Sequence, residues 1–192
     1  MKNFNMPDFV SPTLEQEEME RLKKSLTKHI SKKDAEEFLA LIPLDVNAGA
    51  DQRGLWVENM CRALEDHFDK EEIIEIRKDC YCDENGRLQE AAKSLREVYE
   101  SVGCDLANMV AVLNESGAGW YMEGKVLYTK MFVCECPMLE QGRIHQSLTW
   151  CHCTAGYSKA LFEHIFERPV EVEVLQSIKQ GFDYCLMRVE IV

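Results

Sequence analysis

The first half of the chain carries apolar residues at three- and four-residue spacing, and the second half carries them largely in alternation. Met19, Leu22, Leu26 and Ile30 form the first helical stripe. Glu15, Glu17 and Glu18 precede it, and Lys23, Lys24 and Lys28 fall towards its end. Acidic residues suit a helix N-terminus, and Ser11-Pro12 offers a cap followed by a first-turn proline. The pattern therefore predicts a helix over 13–30. Ser31 caps a second helix, with Phe38, Leu39, Leu41 and Ile42 on its apolar side, and Pro43 ends it. A third helix over 53–66 places Trp56, Met60, Ala63 and Leu64 on one stripe, with Cys61 beside it. Further helices are predicted over 70–78, 88–99 and 105–114.

The character changes at Ser116-Gly117-Ala118-Gly119. Trp120-Tyr121-Met122, a turn at Glu123-Gly124-Lys125, and the run Val126 to Val133 read as a β-hairpin. Residues 138–145 read as a loop, and Gln146 to Cys153 as another strand. Thr154 or Ser158 can cap a helix through Leu161, Phe162, Ile165 and Phe166, stopped near Pro169. Val170, Val172 and Val174 alternate with Glu171 and Glu173, the pattern of a strand with one wet face. Tyr184 to Ile191 is the last strand. The expected fold is α+β: N-terminal helices packed on a C-terminal antiparallel sheet interrupted by one helix. Residues 1–115 are read as a helical layer and 116–192 as a cysteine-rich β-sheet region with one helix. Gly117 to Gly119 is too short for a free linker, so both belong to one integrated domain.

The chain has 192 residues, 46% of them hydrophobic, enough for a core without staples. Its 34 acidic residues outnumber 22 basic ones, for a net charge of -12. Such a surface repels phosphate backbones and anionic bilayers, so neither nucleic acid nor a membrane is an expected partner. No apolar run reaches the ~20 residues of a membrane span, and the first residues lack an apolar stretch of signal-peptide length. The expected location is the cytoplasm, where thiols stay reduced.

That expectation gives weight to the nine cysteines. Cys134-Glu-Cys136-Pro is followed, fourteen residues later, by Cys151-His-Cys153. Side chains two apart share a face of a strand, so each pair could aim both thiols the same way. Two adjacent pairs, Cys134, Cys136, Cys151 and Cys153, would then offer four thiolates to tetrahedral zinc, or to iron. His145 and His152 are alternative nitrogen ligands. Four thiols lining a pocket, or a reversible disulfide, are the other readings of the same spacing. Cys153 immediately precedes the expected helix at Thr154, where a helix N-terminus would lower a thiol pKa, so it is the candidate nucleophile. Cys80-Tyr81-Cys82 is a third pair, read as incidental to the site, and Cys104 as a core residue. Cys61, Trp150, Tyr157 and Cys185 are candidate walls of a ligand pocket.

Cys134-x-Cys-Pro, then Trp150-Cys-x-Cys-Thr-x-Gly-Tyr-x-Lys-x-x-Phe-Glu, then Pro169-Val-Glu-Val-Glu-Val-Leu-x-Ser-Ile-x-x-Gly-x-Asp-x-Cys185 together resemble a bacterial family of uncharacterised cysteine-rich proteins. That family resembles 4-vinyl reductase-type ligand-binding domains and 2-amino-thiazoline-4-carboxylic acid hydrolase-like proteins. The resemblance covers about the last sixty residues well. It implies an antiparallel sheet, a small-molecule pocket between sheet and helices, and cysteines near that pocket. The functional expectation is a small-molecule or metal-binding domain with a cysteine-lined site. The alternative is a cysteine-dependent hydrolase acting on a small carbon–nitrogen or thiazoline-like substrate.

Overall fold

Among the residues that the computed structural model describes, 11–83, 86–139 and 147–192, the chain forms seven α-helices and a four-stranded sheet. The architecture is α+β. The N-terminal arm, residues 1–10, and His145 lie outside the described residues.

The first two helices begin where side chains satisfy their first N–H groups. Helix α1 (Leu14–His29) is capped by Thr13, not Ser11, in a reciprocal box with Gln16. Helix α2 (Lys32–Leu41) is capped by Ser31. Helices α3 (Ala50–His67), α4 (Lys70–Lys78), α5 (Arg87–Ser101) and α6 (Leu106–Glu115) come next in the chain. Cys104, expected in the core, is exposed just past α5, with a left-handed backbone at φ 59°.

The hairpin β1 (Tyr121–Glu123) and β2 (Val126–Met131) forms as its sequence predicts. The segment leading to Cys153 departs from its predicted strand. Its described residues instead open helix α7 (Leu148–Phe166). Ser147 caps it, and the Ser147 and Thr149 hydroxyls donate to the Glu65 carboxylate of α3 at 2.6 and 2.7 Å. An anion at a helix N-terminus is favourable, so Glu65 of α3 reinforces the start that the Ser147 cap gives locally. Strands β3 (Val170–Gln176) and β4 (Cys185–Ile191) complete an antiparallel sheet of order β1-β2-β4-β3. Strand β4 thus lies between β2 and β3, the two strands joined through α7. Val170, Val172 and Val174 of β3, with Cys185, Met187 and Val189 of β4, are buried; Glu171 and Glu173 are exposed.

Two apolar cores meet at α7. Its N-terminal half sends Trp150 and Cys151 into a cluster with α1–α4. Ala155 and, from the C-terminal half, Phe162, Ile165 and Phe166 enter a cluster with α6 and the sheet. The crossing of α7 with α4 is so close that a Cβ added at Gly156 would sit 1.8 Å from the Lys78 carbonyl oxygen. Backbone cannot yield as a flexible side-chain end can. Replacement of Gly156 by alanine is therefore expected to destabilise the fold by ~2–3 kcal/mol or more, read as a fall in the urea midpoint. An unchanged midpoint would show that the two helices can part freely.

Candidate functional site

A cavity of about 190 Å³ lies at the junction of the two cores, where α7 passes between α1, the end of α4 and the loop after β2. Seven of the nine cysteines line it. Strand β2 ends at Met131, and three residues later Cys134 and Cys136 enter the wall. Met131 pairs with Cys185, so the register of β2 against β4 places Cys185 beside that loop. Cys185 alternates with the buried Met187 and Val189, which puts it on the helix-facing side of the sheet.

Helix α7 contributes Trp150, Cys151, Cys153, Thr154 and Tyr157. At about 100° per residue, Trp150, Thr154 and Tyr157 form one stripe. Cys151 and Cys153 flank it on opposite sides, roughly 200° apart. The helix therefore overturns the reason for expecting these two thiols to point the same way. It also moves Cys153 from a helix N-terminus into the second turn. Burial pushes the Cys153 thiol well above its ordinary pKa, even with the Arg77 guanidinium nearby. The basis for an activated nucleophile there is lost.

Cys80 and Cys82, read as incidental, belong to the cavity wall. Cys80 closes α4 and donates its thiol hydrogen to the Ile76 carbonyl at 3.2 Å. Cys61 has the opposite fate: it is buried in the first core and does not line the cavity. His152 is buried and does not line it either. Desolvation first, then the charges of Arg77, Lys70 and Lys78, lower its pKa to about 4. Trp150, Tyr157 and Cys185 do reach the cavity.

Three charged residues that had no place in the expected site, Arg77, Glu18 and Lys179, shape its electrostatics. Arg77 is fully buried and donates to Glu18 Oε1 at 2.9 Å and to the Trp150 carbonyl at 3.4 Å. Its guanidinium also sits 4.4 Å from the Trp150 ring centre. Lys179, in the 3₁₀ turn Ile178–Gln180, is 1% exposed and lies in the wall near Cys185. Lone lysines and arginines in helix-like stretches look solvated by pattern, so only their burial identifies them. The sulfurs are also hydrogen-bonded. Trp150 Nε1 donates to Cys136 Sγ at 3.3 Å, and the Ile178 backbone N–H donates to Cys185 Sγ at 3.4 Å. Among the described residues, no three His, Cys, Asp or Glu side chains are arranged to hold a single metal ion.

These shifts bound the pH range of the metal-free fold. Burial raises Cys61 and Cys151 to about 12 and Cys80 to about 11. A thiol held protonated when folded stabilises fully below its unfolded pKa, and that contribution is lost as pH rises. His152, held neutral, stabilises above its unfolded pKa, and its contribution is lost as pH falls towards 4. Stability of the reduced protein is therefore expected to be flat between about pH 6.5 and 8.5 and to fall on both sides. Each of the three thiols accounts for up to ~2 kcal/mol at pH 10. Urea midpoints across pH measure this. Cys61→Val is expected to shallow the alkaline limb and His152→Gln the acid limb; limbs unmoved by either variant would refute the assignment.

No curated protein and no solved structure matches the chain. No described helix is long and apolar enough to cross a membrane. Residues 16–192 match a family of unknown function, DUF6144, and the chain belongs to that family.

Proposed function

We propose that this protein is a binding domain whose ligand is held by sulfur, a metal centre coordinated in the cysteine-lined cavity. The observation that carries the reading is the convergence of seven of nine cysteines, from four separate segments, on one space. Thiols packed as small hydrophobes would be dispersed through both cores, as Cys61 is. Sulfur ligands select soft ions such as zinc, copper(I) and iron in clusters. The size of the space argues in the same direction. At about 190 Å³ it falls below the ~300–1,000 Å³ of pockets that enclose drug-sized organic ligands.

The hydrolase alternative gains no support from the electrostatics. A thiol nucleophile needs a lowered pKa or an adjacent base. Burial raises Cys136, Cys151, Cys153 and Cys185 instead. A bound soft metal would be held by these thiols and would take their protons off, since a metal deprotonates its thiol ligands outright. Metal uptake must then release protons and tighten as pH rises.

Protein purified anaerobically without added metal or chelator is expected to contain near-stoichiometric transition metal. About four thiols should resist a thiol reagent until the chain is denatured. Metal-free protein whose cavity thiols all titrate freely in the native state, and which takes up no added zinc or iron, would overturn the proposal.

A further inference from the structure

The face of the sheet turned away from α7 is built unlike a solvated face. Alternation from the buried Leu127 and Thr129 puts Tyr128, Lys130 and Phe132 on that outer side. In β4 the same alternation, opposite the buried Cys185, Met187 and Val189, puts Tyr184, Leu186 and Arg188 there. The register lines these side chains up in rows. Tyr121 of β1 stands beside Tyr128, Tyr128 beside Arg188, and Arg188 beside Glu173 of β3. Lys130 stands beside Leu186, and the Phe132 and Tyr184 rings meet at 5.9 Å between centres.

Their ring and charge contacts run along the face itself. Tyr121 and Tyr128 stack at 4.8 Å, the Lys130 ammonium lies 4.4 Å from the Tyr184 ring centre, and Arg188 donates to Glu190 at 2.7 Å. Phe132 is 53% exposed. The helical residues that pack against the sheet, such as Val110, Phe162 and Ile165, join Val172 and Val189 on its opposite side. A ribbon of aromatic rings and cations without a layer over it has the make-up of an interface core, which is enriched in tyrosine, phenylalanine and arginine.

Charge and shape select the occupant. Glu123, Glu171, Glu173 and Glu190 border the ribbon, and the whole chain carries -12. Phosphate backbones and anionic bilayers are therefore repelled. The cysteine-lined cavity does not open here, since it takes Met131 and Cys185 from the other side of the sheet. What the rows complement is their own copy. A two-fold axis along the strands, between β2 and β4, lays β2 of one protomer over β4 of the other, and β1 over β3. Tyr128 then faces the partner's Arg188, Tyr121 the partner's Glu173, and Phe132 the partner's Tyr184, each contact being made twice. These pair a ring with a cation, a hydroxyl with a carboxylate, and a ring with a ring. Like charges, Glu123 and the partner's Glu171, oppose only at a corner, where sheets crossing at about −30° diverge. With strands ~4.8 Å apart and ~3.4 Å per residue, four strands of about six residues cover roughly 20 by 20 Å. Side-chain relief brings the buried area to roughly 600 Å² per protomer, at the lower end of specific interfaces and suited to a reversible dimer.

We propose that the outer face of the sheet is a self-association surface on which two copies of this chain pair through β2 and β4. The inference stands apart from the metal-centre reading.

Sedimentation velocity of the full-length protein tests it, over ~1 to ~200 μM, the range in which interfaces of this size dissociate. Reductant is present, so the exposed Cys104 cannot bridge copies. The expected result is a concentration-dependent shift from 22.2 kDa to twice that mass. Phe132→Ser and Arg188→Ala should each raise the dissociation constant about tenfold or more, with far-UV circular dichroism unchanged. Leu55→Ser, at a 55% exposed apolar position on α3, should leave the constant where it was. In a separate protein, p-benzoylphenylalanine at position 132 should cross-link on irradiation to β4 of a second copy. Protein that stays at 22.2 kDa throughout would overturn the proposal. So would a dimer that Phe132→Ser and Arg188→Ala leave intact, or a cross-link that falls outside the sheet.

Discussion

The buried guanidinium of Arg77 is the interaction on which the helical half and the cavity both depend. It is 0% exposed, yet it bonds α1 through Glu18 and α7 through the Trp150 carbonyl while lying over the indole of the same tryptophan. Burying this charge is tolerable only because the carboxylate, the carbonyl and the ring face are all in place. Removing one partner of such a pair costs ~3–5 kcal/mol, since the other charge stays behind unpaired. With Arg77 held, α1, α4 and the first turns of α7 have one mutual arrangement. That arrangement aims the Trp150 N–H at Cys136.

A second constraint acts further along α7. Gly156 lets the helix touch the Lys78 carbonyl, so α4 ends against α7 and delivers Cys80 and Cys82 to the same space as Cys151 and Cys153. From the other side, the register of β2 with β4 fixes Cys185 opposite Met131 and near the loop of Cys134 and Cys136. The cavity is therefore walled by thiols from elements that share no local sequence, with buried Arg77 and Lys179 near it. This supports the proposed metal centre: a protein that only packed its cysteines would have no need to gather them beside buried cations.

Cys153 shows how far a single helix boundary can propagate. Read as the end of a strand, it shares a face with Cys151 and sits at a helix N-terminus, so it resembles both a ligand and a nucleophile. Placed in the second turn of α7, it turns away from Cys151, and burial raises its pKa. Cys61 and Cys185 part ways for a similar reason. By pattern both are minor pocket walls, but Cys61 is sealed in the first core while Cys185 lines the cavity.

The sequence by itself determined the α+β class, the order of the helices up to the hairpin, the hairpin itself and the wet face of β3. Each of these is written in short-range periodicity and turn chemistry: stripes at 3.6 residues in α1 to α6, alternation in β3, and glycine at the turn before β2. It also marked the cysteine pairs as the place where chemistry resides. The tertiary structure decided that the residues just before Cys153 are helical: the Ser147 cap is held by Glu65, eighty-two residues earlier, and the alternation that suggests a strand gives way to packing against α4. Only the tertiary structure decided which thiols meet. Proximity of Cys185 to Cys134 arises from strand register, and the arrival of Cys80 at the cavity that Cys153 also lines from a helix crossing at a glycine, and neither leaves a trace in local spacing.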